Sequence, residues 1–499
     1  MESQTKHIYF RGSLKSCNYS CYYCPFAKHK MTADELKQDR EALQAFYQAL
    51  KEEKNASLSI MITPYGEGMI HDYYQEVMIE LAALPQVKAV GIQTNLSFSV
   101  ESWLDKMREA KSDFSKFRIW GSYHPSMVSP EVFASKANKL HRFMPISVGM
   151  VAVPEDLEAI GQLKKRLLPD IYLWLNGQSR RKSHYTGAQK ALLKRIDPFF
   201  DYEINHIGPK SADCAAGKKS FLIEAGGKTY PCHMVNECIG KYGLQESNAK
   251  AFQCKRHFCD CFLSYSQLAL KDFENFFGED RRFRIPQKRD IQAIFFDIDG
   301  TLLDDKGQLN SEIEQSLAYL STKCELYLAT ALPLAKAQQK LKNVWPYFKG
   351  GIFSNGSHIY ERVQGTSRVL PLKEDLLKEP FIQQAKRKIL DRDQQGNLLR
   401  VMLPFKKALV YEHLEAQGLR DGNKYYIQST AASKRKGIDF LLQDKSIPSE
   451  KVLTVGNSEN DREMLVTYGY GMQRAQASSK RLEGVTYYME IPHIAYIVG

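Results

Sequence analysis

The chain has 499 residues, 43% of them hydrophobic, with a net charge of +12. That length predicts two or three domains with large cores, and no apolar run approaches the ~20 residues of a bilayer span, which argues against a membrane protein. The polar start Met1-Glu2-Ser3-Gln4-Thr5-Lys6 is no signal peptide, and nine of the ten cysteines fall before residue 262; both features suit metal-binding thiols in a reducing cytoplasm and not a secreted disulfide scaffold.

Strand-like runs at His7–Arg11, Leu58–Thr63, Ala89–Gln93, Phe117–Trp120, Ile146–Val153 and Ile171–Leu175 alternate with helical patterns such as Glu41–Glu52, Tyr73–Ala83 and Pro130–Arg142. Repeated strand–helix units predict a parallel sheet, with ligands at the C-terminal strand ends. The first strand is followed by Cys17, Cys21 and Cys24, spaced C-x3-C-x2-C. A cubane iron–sulfur cluster takes four thiolates, so a loop offering three leaves one iron open for chemistry. Zinc is the plainer reading of clustered cysteines, although a zinc knuckle pairs C-x2-C units.

This loop resembles that of the radical S-adenosylmethionine (SAM) superfamily, with Tyr23 in the position where that family keeps an aromatic residue. The resemblance implies a partial (βα)6 barrel over residues 1–205 and a SAM-binding [4Fe-4S] cluster on Cys17, Cys21 and Cys24. It also implies an electron donor such as flavodoxin or ferredoxin, and 5′-deoxyadenosyl radical chemistry. Pro64-Tyr65-Gly66-Glu67-Gly68 follows the second strand and resembles the family's Gly-Glu segment, which implies that Gly66 and Glu67 bind the SAM amino group. Ser122, after the fourth strand, is implied to meet the SAM ribose or carboxylate. His124 reads either as a substrate-facing residue or as a structural hydrogen-bonder.

Cys214, Cys232, Cys238, Cys254, Cys259 and Cys261 fall within 48 residues, with a hairpin pattern Phe221–Glu224, Gly226-Gly227 and a strand ending at Cys232. Residues 206–268 resemble the Twitch or SPASM region that follows many radical SAM cores. The resemblance implies an auxiliary [4Fe-4S] cluster on Cys214 and Cys232, with Cys254, Cys259 and Cys261 as further candidates. Their spacing fits neither pattern cleanly, and zinc stays open here too.

Residues 269–289 are charged and Pro-interrupted and read as a linker. A new strand, Ile291–Phe296, then ends in Asp297-Ile298-Asp299-Gly300-Thr301. One carboxylate can attack phosphorus while a second, two residues on, handles protons. The D-x-D-G-T motif resembles the haloacid dehalogenase (HAD) superfamily, implying a Rossmann-like core over 290–499 with catalytic Asp297, Asp299, Thr330 and Lys436. Mg²⁺ would be held by Asp297, Asp299, Asn457 and Asp461. Asn457 replaces the Asp of the family's G-D-x-x-N-D, which removes one charge from the metal site. Ser354–Tyr360 resembles the start of a Cof-type α/β cap, placed at about 350–428, of the kind that admits small phosphorylated metabolites.

The chain therefore reads as a bifunctional enzyme, radical chemistry and phosphate hydrolysis acting on one small phosphorylated molecule. The alternatives are a peptide-modifying maturase and a radical enzyme whose HAD domain binds a phosphometabolite without hydrolysing it. The one dense basic run, Arg180-Arg181-Lys182, is too short to make nucleic acid an expected partner.

Overall fold

The computed structural model describes residues 5–26, 30–54, 56–178, 185–205, 207–208, 213–242, 254–259, 262–404, 411, 415–421, 424–475 and 480–499. The chain divides into two compact units, Met1–Gln287 and Lys288–Gly499. No helix among the described residues is long and apolar enough to cross a membrane.

The first unit is built on strands β1 (Lys6–Arg11), β2 (Leu58–Ile62), β3 (Val87–Thr94), β4 (Phe117–Tyr123), β5 (Ile146–Ala152) and β6 (Tyr172–Gly177). All are parallel and lie in sequence order, β6-β5-β4-β3-β2-β1. Helices fill the crossovers, which is why β2, Leu-Ser-Ile-Met-Ile, is buried at every position and does not alternate. The first crossover helix, Ala33–Glu52, begins at a capping box between Thr32 and Glu35 and buries Leu43, Phe46 and Leu50.

β7 (Ser220–Glu224) pairs parallel to β1 on its other side, and β8 (Lys228–Tyr230) and β9 (Gly240–Lys241) continue the sheet antiparallel. The turn between β7 and β8 uses Gly226 and Gly227 at φ of 84° and 86°, a region costly for other residues. The cysteine-bearing hairpin is thus an extension of the main sheet.

The expected linker is not one. Lys271–Phe277 is helical, and Phe273, Phe276, Phe277 and Phe283 are buried. Phe283 packs over Gly91, where a Cβ would lie 2.6 Å from its ring, and its carbonyl accepts from Ser147 Oγ at 2.7 Å. The Arg284 guanidinium stacks 3.4 Å from the Trp174 ring centre and 3.3 Å from that of Phe262. The charged residues had masked an apolar segment that covers the sheet.

The second unit has a core sheet of β10 (Ala293–Phe296), β11 (Glu325–Ala329), β12 (Phe348–Phe353), β13 (His358–Glu361) and β14 (Thr366–Val369). After the cap come β19 (Val452–Gly456), β20 (Tyr470–Arg474) and β21 (Tyr487–Met489), and the spatial order is β14-β13-β12-β11-β10-β19-β20-β21. The central strands are parallel, giving a Rossmann-like core whose order reverses at β10. The cap is a separate antiparallel sheet, β15 (Ile389–Arg392), β16 (Leu398–Pro404), β17 (Ala416–Asp421) and β18 (Lys424–Ser429), ordered β15-β16-β18-β17. Ser354–Tyr360, read as the start of the cap, instead turns β12 into β13 at the edge of the core sheet.

Candidate functional site

In the first unit the chemistry-bearing residues gather at the C-terminal strand ends. Gly66 lies against the cysteine loop: a Cβ there would sit 1.8 Å from the Ser16 carbonyl oxygen, and the Glu67 amide donates to that same oxygen at 3.1 Å. The Glu67 carboxylate is buried and accepts from Thr94 Oγ1 at 2.7 Å, the Asn95 amide at 2.5 Å and the Met69 amide at 3.0 Å. Burial pushes its pKa up to about 7 against those three donors. Asn95 Nδ2 also reaches Cys17 Sγ at 3.7 Å and Asn18 Oδ1 at 3.1 Å, so the residue that follows β3 tethers the loop. Burial, with Glu67 and Cys24 nearby, raises the Cys17 thiol pKa.

The Tyr23 hydroxyl pairs with His124 Nδ1 at 2.9 Å, and the two rings stack. Burial holds His124 down to about 4, so its ring is neutral near neutral pH. Ser122 Oγ accepts from Gln93 Nε2 at 3.4 Å. Among the described residues no three His, Cys, Asp or Glu side chains are gathered as a metal site. The soft three-thiol donor set of the loop nevertheless suits an iron–sulfur group.

Of the candidate auxiliary ligands, Cys214 and Cys254 are close enough to act on one another's charge. Cys232 is buried just beyond β8, and the Cys259 amide donates to the Ile207 carbonyl. Cys238 is exposed, and Cys261 lies outside the described residues.

In the second unit β10 delivers Asp297, β11 delivers Thr330 and β19 delivers Asn457, all into one cavity of ≈ 970 Å³ between core and cap sheet. Its centre is an ammonium shared by two acids: Lys434 Nζ lies 2.7 Å from Asp297 Oδ1 and 2.7 Å from Asp461 Oδ1. Ser433 caps the helix Lys434–Lys445 and so sets Lys434 at its first position, facing the strand ends. Burial raises the Asp297 pKa and Lys434 opposes that rise, while the two carboxylates hold Lys434 in its charged form. The other Asp461 oxygen accepts from the Asn457 and Ser458 amides at 3.1 and 3.3 Å. Thr301 Oγ1 spans Asp297 Oδ2 and Asn457 Oδ1, 3.4 Å from each.

Residues 294–391 and 405–490 match the haloacid dehalogenase-like hydrolase family. The C-terminal part carries a haloacid dehalogenase-like hydrolase domain. It is 26% identical over 197 residues to a phosphoglycolate phosphatase of Archaeoglobus fulgidus, covering 38% of this chain and 87% of that one. A phosphoglycolate phosphatase of Methanococcoides burtonii is 24% identical over 203 residues, covering 39% and 87%. Among solved structures, a haloacid dehalogenase-like hydrolase from Bacteroides thetaiotaomicron aligns with 40% of this chain and 93% of its own, at 13% identity and a TM-score of 0.34.

Within the hydrolase domain, Lys436 is not the lysine at the acids. It is exposed, and its Nζ donates to the Thr430 carbonyl at 2.8 Å; Lys434, two residues earlier, holds the position expected of it. The signal for this was Ser433, a cap residue that fixes where the helix starts. Asp299 is half-exposed and ion-paired with Lys340 at 2.7 Å, a partner the motif did not announce. Thr330 is buried, its Oγ1 accepting from the Leu332 amide at 3.1 Å. The hard oxygens of Asp297 and Asn457 suit Mg²⁺. Gly300 keeps the space beside them open, since a Cβ there would lie 2.2 Å from Asn457 Nδ2.

Proposed function

We propose that the hydrolase domain cleaves phosphomonoesters. The observation that carries this is the Asp297–Lys434–Asp461 bridge, which fixes one carboxylate at a strand end beside a buried positive charge for the phosphoryl oxygens. Asp297 attacks phosphorus, the ester P–O bond breaks, and the alkoxide leaves with a proton from Asp299. Asp299 then takes a proton from the water that hydrolyses the aspartyl phosphate. To do so it must leave Lys340. Mg²⁺ held by Asp297 and Asn457 would neutralise phosphate charge. The archaeal phosphoglycolate phosphatases make a small phosphorylated metabolite a reasonable substrate class. Release of inorganic phosphate from a panel of phosphate esters tests this reading.

For the first unit we propose radical SAM chemistry. Cys17, Cys21 and Cys24 would hold a [4Fe-4S] cluster that supplies the electron, while Glu67, Gly66 and Ser122 would bind and orient SAM, and Tyr23, through His124, would hold the loop in place. Buried Glu67 beside the cysteine loop supports this, since a carboxylate pushed up to about 7 regains its charge when an ammonium binds it. Reconstitution under anaerobic conditions, with 5′-deoxyadenosine as the readout, tests it. Both activities on one chain would act on the same molecule in sequence, with flavodoxin or ferredoxin as donor.

A further inference from the structure

The cap sheet presents its residues to the cavity in cross-strand rows, and the rows differ in chemistry. Asp391, Arg400, Gln428 and Gln417 form one row through the pairs Asp391↔Arg400, Arg400↔Gln428 and Gln417↔Gln428. This row bonds to the core, and Arg400 also lies over the Tyr426 ring at 4.4 Å. Arg400 Nη2 donates to the Ala331 carbonyl at 2.7 Å, in the loop after Thr330. Gln428 Nε2 donates to the Asn355 and Ala432 carbonyls at 3.2 and 2.8 Å, Gln417 Nε2 reaches Ala432 O at 3.3 Å, and Ser354 Oγ donates to Asp391. Arg400 is also ion-paired to Asp391 at 3.4 Å.

Two residues along each strand lies the next row, Ile389, Met402, Tyr426 and Leu419, also lining the cavity. Ile389 is 50% exposed although it is a large apolar side chain. Leu332 and Met464 line the core side of the same cavity. Several cations on the wall are already held: Arg392 by Glu374 at 2.5 Å, Lys436 by Thr430 O, and Lys434 by the catalytic acids. Lys336, Arg420 and Lys424 complete the cations of the lining, and the last two are exposed; Asp299 and Glu463 line it too.

Resting on the phosphatase reading above, we infer that the alcohol portion of the substrate is read by this apolar row. The structure assigns the domain to phosphomonoesters with an alkyl or aryl body, in contrast to the short carboxylate-bearing ester named for its archaeal relatives. The polar row fixes the cap over the phosphate, and the next row is what the leaving group meets. Removing apolar surface from water at Ile389, Met402 and Leu419 supplies the discrimination.

The full chain with Mg²⁺ is assayed on phosphoglycolate, glycerol 1-phosphate, 3-methylbutyl phosphate and phenyl phosphate. The expected result is a kcat/KM for the last two at least about tenfold above that for phosphoglycolate, with that ratio falling about tenfold in Ile389→Ser and in Leu419→Gln, as a lost apolar contact does in a binding pocket. A preference for phosphoglycolate, or variants that lower all four alike, overturns the inference. Calorimetric titration of Asp297→Asn with phenyl phosphate and phosphoglycolate reads recognition without turnover. Tighter binding of phenyl phosphate supports the inference even if no ester is hydrolysed, a result that would remove only the phosphatase reading; equal or reversed binding overturns it.

Discussion

At the scale of single residues, the hydrolase site turns on who neutralises whom. Asp297 must be ionised to attack, and Lys434 is the charge that favours that form against the burial that opposes it. Asp297→Asn should lower kcat by about three orders of magnitude or more, since an amide cannot form the aspartyl phosphate; phosphate release measures it. Asn457 already touches Thr301 and borders Gly300, so an Asp fits the same space. Asn457→Asp should lower the Mg²⁺ concentration for half-maximal rate by about tenfold, through the added negative charge at the metal. An unchanged Mg²⁺ requirement would show that residue 457 does not reach the ion.

Another residue carries a pH signature. Asp197 is buried, accepting from Tyr172 Oη at 2.5 Å and from the Leu175 and Phe199 amides at 2.8 and 2.9 Å. Burial outweighs those donors and pushes it up to about 6. The folded chain therefore binds this proton more tightly than the unfolded one. Its stabilising effect is complete below about pH 4 and is lost as pH rises through about 6, a change on the order of 3 kcal/mol. Asp197→Asn should flatten that part of the stability-against-pH curve, as read by urea midpoints for the first unit.

At the scale of elements, the segment after residue 268 places a buried charge against the sheet. Arg284 is buried between aromatic rings, bonded to Glu203 Oε1 at 3.2 Å, Tyr265 Oη at 3.1 Å and Asn176 Oδ1 at 3.4 Å. Arg284→Ala leaves the Glu203 carboxylate uncompensated and should cost about 3–5 kcal/mol of unfolding free energy; Arg284→Met with Glu203→Gln should recover part of it. Tryptophan fluorescence during urea unfolding follows this through Trp120 and Trp174.

The same element shows where sequence reading stops. Strands β1 to β6 were legible within a few residues, since each is a short apolar run between helical patterns. The strand-end motifs of the hydrolase domain were legible because spacing carries the chemistry. Residues 269–289 were misread because Arg281, Arg282 and Arg284 made the stretch look solvated, and only packing on Gly91 and Trp174 reveals otherwise. Lys434 and Lys436 could not be ranked by composition; the start of the helix at Ser433 decides between them. The cap rows depend on register across four strands, and no local pattern fixes that.

At the scale of the whole molecule, the two units can be tested apart. A chain from residue 288 contains its own core, with Phe295, Tyr327, Ile352 and Ile438 buried together. It should fold alone and retain any phosphate-releasing activity of the full chain. For the first unit, reconstituted protein should hold about eight irons if both thiol groups carry cubane clusters. Changing Cys17, Cys21 and Cys24 together to Ala should then lose about half the iron and all 5′-deoxyadenosine. Deoxyadenosine persisting in that variant would end the radical SAM reading.

The parallel pairing of β7 with β1 has a geometric corollary. Cys17, Cys21 and Cys24 follow the last residue of β1, whereas Cys214 precedes β7 and Cys232 follows the returning strand β8, with Leu222 opposite Tyr230 and His7 opposite Ser220. The chain that enters β7 and the chain that leaves β8 therefore lie toward the start of β1, whereas the three-cysteine loop leaves from its other end. Five residues of strand at ~3.3 Å each put about 17 Å between those ends. If both groups carry clusters, electrons passing between them would cross the sheet, where Arg282 feels the charge of both Tyr9 and Cys214.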